Sequence, residues 1–245
     1  VLPQLWRPKP AMYGGPTGPR LWAECHHPRN ESSLVVAKKK IAEVREFLFQ
    51  PNGRRLLILK GPPGSGKASV LHALCSEGFE LVEWTSASRK GRQGDDDSLT
   101  QDFLRFLAQA DRYGALGQDA RVKRAPRVSL VRDFPFTIIE KSSGEAQAGS
   151  GKFLQRFAAM VNSGSISRAA LCFNDSREDN RIVNKLLHSV QPHFVSQVVF
   201  DTVPRTFVQK ALDRILANEG LPPSTAKTAV LGAECGGDLR QAINA

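Results

Sequence analysis

Two periods alternate along this chain. From Leu34 to Phe49, apolar Leu34, Val35, Ile41, Val44, Phe47 and Leu48 are interleaved with Lys38, Lys39, Lys40, Glu43, Arg45 and Glu46. The steps among Ile41, Val44 and Leu48 predict a helix with one core face and one charged face. Leu56, Leu57, Ile58 and Leu59 then form a continuous apolar run between Gly53 and Gly61, the pattern of a strand buried on both faces. Further strands are predicted at Phe79 to Trp84, Arg127 to Val131, Ala169 to Phe173 and Val195 to Phe200, separated by helices at Lys67 to Glu77, Leu99 to Tyr113, Lys152 to Val161 and Arg181 to His188. Such alternation implies right-handed crossovers and an α/β fold, a three-layer parallel-sheet core with helices on both faces. Beyond Pro204 only helical stretches follow, near Thr206 to Asn218, Ser224 to Glu234 and from Asp238 onward. A boundary near Val203 therefore divides an α/β core, 21–203, from the start of a helical domain, 204–245. Residues 1–20, with five prolines and three glycines, read as an extended arm or linker. The Asp95–Asp97 region (Ser86 to Ser98) and the Ser-, Gly- and Ala-rich stretch from Glu140 to Gly151 read as surface loops.

Composition narrows the function classes. Among 245 residues, 34 Lys and Arg face 24 Asp and Glu, a net charge of +10, so a basic surface suited to phosphate-bearing partners is expected. No run approaches the roughly 18 apolar residues of a membrane span, and the first residues lack the apolar segment of a signal peptide. The chain is expected to act inside the cell, without a membrane partner. Cys25, Cys75, Cys172 and Cys235 lie far apart with no CxxC, so neither a disulfide ladder nor a metal site is expected. Adjacent His26 and His27 have only Cys25 near them and read as surface or packing residues. The first residue is not Met and the last residues read as a helix in mid-course, so the chain is expected to be an excerpt of something longer.

The strongest chemical signal is Gly61-Pro62-Pro63-Gly64-Ser65-Gly66-Lys67, between a buried strand and an amphipathic helix. Glycines there let successive N–H groups turn toward an anion, the helix aims its positive end at the same point, and Lys67 adds a mobile charge. The expected ligand is a nucleoside triphosphate. Where the motif calls for Ser or Thr to hold Mg²⁺, this chain has Ala68. Ser69 is no direct substitute, because one residue along a helix turns the side chain by about 100° and lifts it by about 1.5 Å. The strand ending Leu130-Val131-Arg132-Asp133 supplies one acid where such sites use two, one for Mg²⁺ and one to polarise water. If Asp133 is the second, Arg132 stands in the metal acid's place and repels Mg²⁺; if it is the first, Phe134 stands in the base's place. Either way hydrolysis is impaired and Mg²⁺ is doubtful. Asn174, directly after an apolar strand, is a candidate reporter of the γ-phosphate. Asp238 reads as an N-cap, and Arg240 in the following turn can reach bound phosphates. Of several basic clusters, Arg121, Lys123, Arg124 and Arg127 form the best candidate for contact with a nucleic-acid backbone.

Together, Leu21-Trp22-Ala23-Glu24, the phosphate loop, Leu130-Val131-Arg132-Asp133-Phe134-Pro135 and Gly237-Asp238-Leu239-Arg240-Gln241-Ala242-Ile243-Asn244 resemble clamp-loader AAA+ ATPases, above all the large subunit of the DNA-damage checkpoint clamp loader. The resemblance runs from about Leu21 to the end. It implies an AAA+ P-loop core followed by a helical lid, assembly with four small replication-factor-C-type subunits, and loading of a heterotrimeric ring clamp at single-strand/double-strand DNA junctions in the nucleus. Carried over by position, Gly61, Pro62, Pro63, Gly64, Ser65, Gly66, Lys67, Ala68 and Ser69 line the nucleotide, Asp133 belongs to the acidic pair, and Asn174 and Arg240 are the two sensors. Departures are as informative. The family's adenine-side pattern is replaced by Trp-Ala-Glu-Cys-His-His-Pro at Trp22 to Pro28, and Ser189 to Ser196 lacks the Arg of the small subunits' finger. The second departure suits a large subunit that offers no finger to a neighbour.

Three readings remain open at this point. One is an ATP-dependent clamp-loader subunit with weak hydrolysis. Another is a nucleotide-binding scaffold with no turnover, favoured by Ala68 and Arg132. The third is a P-loop small-molecule kinase, which the loop alone allows and the helical segment with Arg240 argues against.

Overall fold

The computed structural model describes residues 21–84, 96–110, 125–132, 134, 147–222 and 225–245. Five strands, β1 (Leu56–Lys60), β2 (Glu80–Trp84), β3 (Arg127–Val131), β4 (Ala169–Phe173) and β5 (Val195–Val199), form one sheet in the order β2-β3-β4-β1-β5. Every pairing is parallel, with Lys60 beside Phe173 on one side and Val199 on the other. The helices in chain order are α1 (Trp22–Cys25), α2 (Lys38–Phe49), α3 (Lys67–Cys75), α4 (Asp96–Gln109), α5 (Gln147–Ser163), α6 (Arg177–Ser189), α7 (Arg205–Asn218), α8 (Thr225–Glu234) and α9 (Leu239–Asn244).

The pleat assigns alternate residues to opposite layers. On one face Leu56, Ile58, Val131, Leu171 and Phe173 pack under α4, α5 and α6, where Phe103, Phe153 and Phe157 supply most of the volume. Phe134 joins them, with ring centroids 5.5 Å from Phe103 and 5.4 Å from Phe173. On the other face Leu57, Leu59, Val128, Leu130, Ala170 and Cys172 meet Ile41, Val44, Phe47 and Leu48 of α2 and Val70, Leu71 and Leu74 of α3. This is the expected three-layer α/β core. A separate small cluster, Val203, Val208, Leu212, Cys235 and Ala242, holds α7 to α9 together.

Several boundaries differ from expectation; the helix expected from Arg181, for one, starts at Arg177, behind its Ser176 cap. Residues Asp96 to Ser98, read as loop, are the first turn of α4, because acids are favoured at the positive end of a helix. Residues 147–151, also read as loop, are helical: the strong helix from Phe153 extends backward, since adding a residue to a formed helix is far easier than nucleating one. Conversely Leu34 to Ala37 is not helical. Leu34 and Val36 pack against the sheet's α2/α3 face and Val35 against the C-terminal cluster, an alternation that only an extended chain allows.

Candidate functional site

The phosphate loop leaves the end of β1 between two neighbours. Gly61 N–H donates to the Phe173 carbonyl at 3.2 Å, and Phe200 N–H donates to the Lys60 carbonyl at 2.6 Å. Gly61 has φ +153° and lies so close to Phe200 that a Cβ would overlap its carbonyl oxygen. Gly64 (φ +66°) and Gly66 (φ +88°) complete the turn into α3, a backbone path that L side chains rarely follow. The Gly66 path runs over Val36, whose Cγ2 would be 2.7 Å from a Cβ there. Ser65 is buried. The result is a tight loop whose amide groups lead directly into a helix N-terminus, the geometry that gathers phosphate oxygens.

Lys67 is 9% exposed. Its Nζ donates to the carbonyls of Gly61 at 2.6 Å and Pro62 at 2.7 Å, so the ammonium sits inside the loop it serves. Burial holds the group below its ordinary value; the Arg240 charge acts in the same direction, while Asp179 and Asp238 oppose. The C-terminal segment is therefore at the site, and Asp238 is in direct van der Waals reach of Gly64, where a Cβ would run into its carboxylate. The Asp238 side chain accepts from Gln241 N–H at 3.0 Å, capping α9 and setting exposed Arg240 in the first turn. Sequence reasoning placed Arg240 near the phosphates without seeing that Asp238 and Gly64 make that approach.

On the opposite flank of the loop, Asn174 follows the residue whose carbonyl holds Gly61. Its backbone N–H donates to Asp179 Oδ2 at 2.8 Å, and Asp179 N–H donates in turn to Ser176 Oγ at 3.0 Å. Asp175 forms an ion pair with Lys60 at 3.2 Å and accepts from the Asn180 side chain at 3.3 Å. Asn180 and Lys60 hold the Asp175 carboxyl below its ordinary range. The turn at 174–176 is thus tied to the last residue of β1.

Ala68 and Arg132, the two departures from the motif, lie in different layers of contacts. Ala68 is half-buried against the α2/α3 layer and offers no oxygen ligand from its side chain. Ser69 Oγ lies 3.5 Å from His27 Nε2, and His27 packs edge-on to His72 with centroids 4.8 Å apart. Burial, then the His72 and Arg132 charges, lower the His27 pKa. His27 thus packs against α3. Arg132 is paired: its Nε is 2.8 Å from Glu83 Oε2, and its Nη2 is 2.7 Å from His72 Nε2. His72 Nε2 is also 2.6 Å from Glu83 Oε1. The Arg132 charge is thus matched by a carboxylate from the neighbouring strand, which sequence spacing did not reveal. Among the described residues here, Ala68 has no side-chain oxygen and Glu83 is already engaged by Arg132 and His72.

Glu83 yields a pH test. Burial pushes its carboxyl up, but hydrogen bonding from His72 and the Arg132 charge outweigh this and hold it below its ordinary value of 4.5. A carboxylate with a lowered folded pKa stabilises above the unfolded value, and that contribution is lost as pH falls through the folded one. Glu83→Gln is therefore expected to cost about 1–2 kcal/mol at pH 7, the worth of a charged hydrogen bond discounted for partial exposure. In chemical denaturation the gap to the unmodified protein should close at acid pH; a gap constant with pH would show that the charge contributes nothing.

Asp133, Arg121, Lys123 and Arg124 lie outside the described residues. Arg127 starts β3, its guanidinium donating to Glu80 Oε2 at 2.7 Å and Oε1 at 3.1 Å and to the Ala110 carbonyl at 3.0 Å. No helix among the described residues is long and apolar enough to cross a membrane.

Residues 17–132 match the Rad17 P-loop domain. Checkpoint protein rad17 of Schizosaccharomyces pombe is 26% identical over 92% of this chain, and the human cell cycle checkpoint protein RAD17 is 28% identical over 91%. The replication factor C large subunit of Thermococcus kodakarensis is 24% identical over 91%. The chain spans 41%, 36% and 39% of these relatives, respectively.

Proposed function

We propose, on the premise that this chain carries a Rad17 P-loop domain, that it is the ATP-binding part of a clamp-loader large subunit acting in the nuclear DNA-damage checkpoint. Residues 21–203 serve as its α/β core and 204–245 as the first part of a helical lid. The observation that carries the reading is buried Lys67 inside the phosphate loop, with Asp238 against Gly64 and Arg240 close enough to act on the same charge. A nucleotide bound there touches both core and lid, so its binding energy favours the closed arrangement. That closed shape is what grips a heterotrimeric ring clamp and a single-strand/double-strand DNA junction, with small replication-factor-C-type subunits completing the assembly. Asn174 and Arg240 act as the two sensors and Asp133 as the remaining acid. Of the Arg121, Lys123, Arg124 and Arg127 cluster, the first three contact the DNA backbone, while Arg127 is held by Glu80 and the Ala110 carbonyl.

Hydrolysis is weak, because Ala68 lacks the metal-holding hydroxyl and the strand's end offers Asp133 alone, with Arg132, paired to Glu83, before it and Phe134 after it. The same observation favours a second reading, a scaffold that binds ATP and never turns it over. Titration calorimetry with ATP on the full-length protein, in Mg²⁺ and then in chelator, tests the site. Binding of similar strength in both is expected, since the phosphates are held by the loop and Lys67; the absence of binding in both would sink the reading. Clamp loading onto primed DNA by the complex assembled with its small subunits tests the role. Turnover that depends on Lys67 separates weak hydrolysis from a scaffold.

A further inference from the structure

We propose that Asp179 is a positioning residue that fixes Asn174 beside the terminal phosphate of the bound nucleotide. The inference rests on the nucleotide-site reading above and adds a residue to it. Asp179 lies in the first turn of α6 and is 2% exposed. Burying a carboxylate is costly unless its oxygens are satisfied. Here Oδ2 accepts from Asn174 N–H at 2.8 Å, while Oδ1 has no hydrogen-bond partner among the described residues. Ser176 Oγ accepts from Asp179 N–H at 3.0 Å as the N-cap, but the Asp179 carboxylate reaches past the Ser176 amide that a capping box would use, to the amide of Asn174 two residues earlier.

What the buried carboxylate does hold is the first backbone amide after β4. Phe173, the preceding residue, accepts from Gly61 N–H, so Asn174 stands beside the first residue of the phosphate loop. Fixing the Asn174 main chain fixes where its side chain can reach. The Asp179 carboxylate also feels the Lys67 charge from α3, an attraction that offsets part of its burial, while Glu178 on its own helix opposes it. A charged group so placed is coupled to the phosphate loop as well as to the turn that carries Asn174. The Lys60–Asp175 ion pair ties the same turn to β1.

The test is the preference for ATP over ADP, measured by calorimetry on the full-length protein. Asp179→Ala is expected to reduce that preference about tenfold, the worth of one phosphate hydrogen bond, with ADP affinity unchanged. Asn174→Ala should show the same loss, and the double variant should be no worse than either single one, because both remove one interaction. Asp179→Asn, which keeps an acceptor for the Asn174 amide, should restore the preference. Should Asp179→Ala fail to fold, Asp179→Ser, polar but too short to reach Asn174, takes its place. Equal losses for ATP and ADP, additive single effects, or a preference left intact would each overturn the assignment. If the unmodified protein binds neither nucleotide, the nucleotide-site reading fails and the assignment of Asp179 falls with it. If it binds both with no preference, only the positioning role falls.

Discussion

Lys67→Ala in the full-length protein is expected to lower ATP affinity by about 100-fold. The ammonium would make two charge-assisted hydrogen bonds to phosphate oxygens, worth about 1.5 kcal/mol each, and about 3 kcal/mol is two decades of affinity. Calorimetry reads the change directly, and an affinity within about threefold of the unmodified protein would remove this loop as the nucleotide site. The reason the effect is large lies in the burial of the group. Lys67 is 9% exposed and its hydrogen bonds among the described residues stay within the loop, so its charge is little screened by water. Burial also holds it below its ordinary value of 10.5. A lysine with a lowered folded pKa releases its proton more readily folded than unfolded, so the cost is complete below the folded pKa and is relieved as pH rises toward 10.5. In the nucleotide-free protein, stability relative to Lys67→Met should therefore move in lysine's favour on going from pH 7 to the alkaline range. A difference that does not change with pH would show that the ammonium is not penalised by burial.

Gly61→Ala is expected to destabilise the protein by about 3 kcal/mol or more, the sum of a strained backbone and a steric overlap. Gly61 has φ +153°, and its missing Cβ would press on the Phe200 carbonyl and lie 2.9 Å from the Phe200 Cβ. Neither neighbour can yield cheaply. Phe200 is held by its N–H to Lys60 and is buried, and Gly61 is held by its N–H to Phe173. For a domain of this size the expected fall in melting temperature is about 10 °C. Gly53 is the control: at φ +83° it has nothing within 4 Å of a Cβ, so Gly53→Ala carries backbone strain without crowding and should cost about 1 kcal/mol. Equal effects at the two positions would show that the crowding at Phe200 is relieved without cost.

Much of the architecture was legible from local pattern. The run Leu56 to Leu59 is the central strand β1, and its alternate residues fill both layers, as a strand buried on both faces must. Arg127 to Val131 and Ala169 to Phe173 are strands at the expected residues. Leu34 to Ala37 was misread as helix because its apolar residues satisfy a helical period and an extended one alike. Only the presence of two clusters, one on each side of this segment, selects the extended form. The site was legible in part. A phosphate loop is written in contiguous residues, and so is the replacement of its Ser or Thr by Ala68. Asp179, by contrast, carries no such local signal, since nothing in its neighbours along the chain announces that it is buried.

The sequence by itself determined the strand and helix alternation, the phosphate loop with Lys67, and the missing metal oxygen at Ala68. Those features depend on residues within a few positions of one another, where periodicity and backbone sterics act directly. Tertiary structure alone decided that Asp238 meets Gly64, that Glu83 and His72 hold Arg132, and that Lys60 pairs with Asp175. These contacts join residues from 49 to 174 positions apart, as with Glu83 and Arg132 or Gly64 and Asp238. They form because parallel crossovers carry the carboxyl ends of the strands to one edge of the sheet, where charges remote in the chain must find partners or remain unpaired.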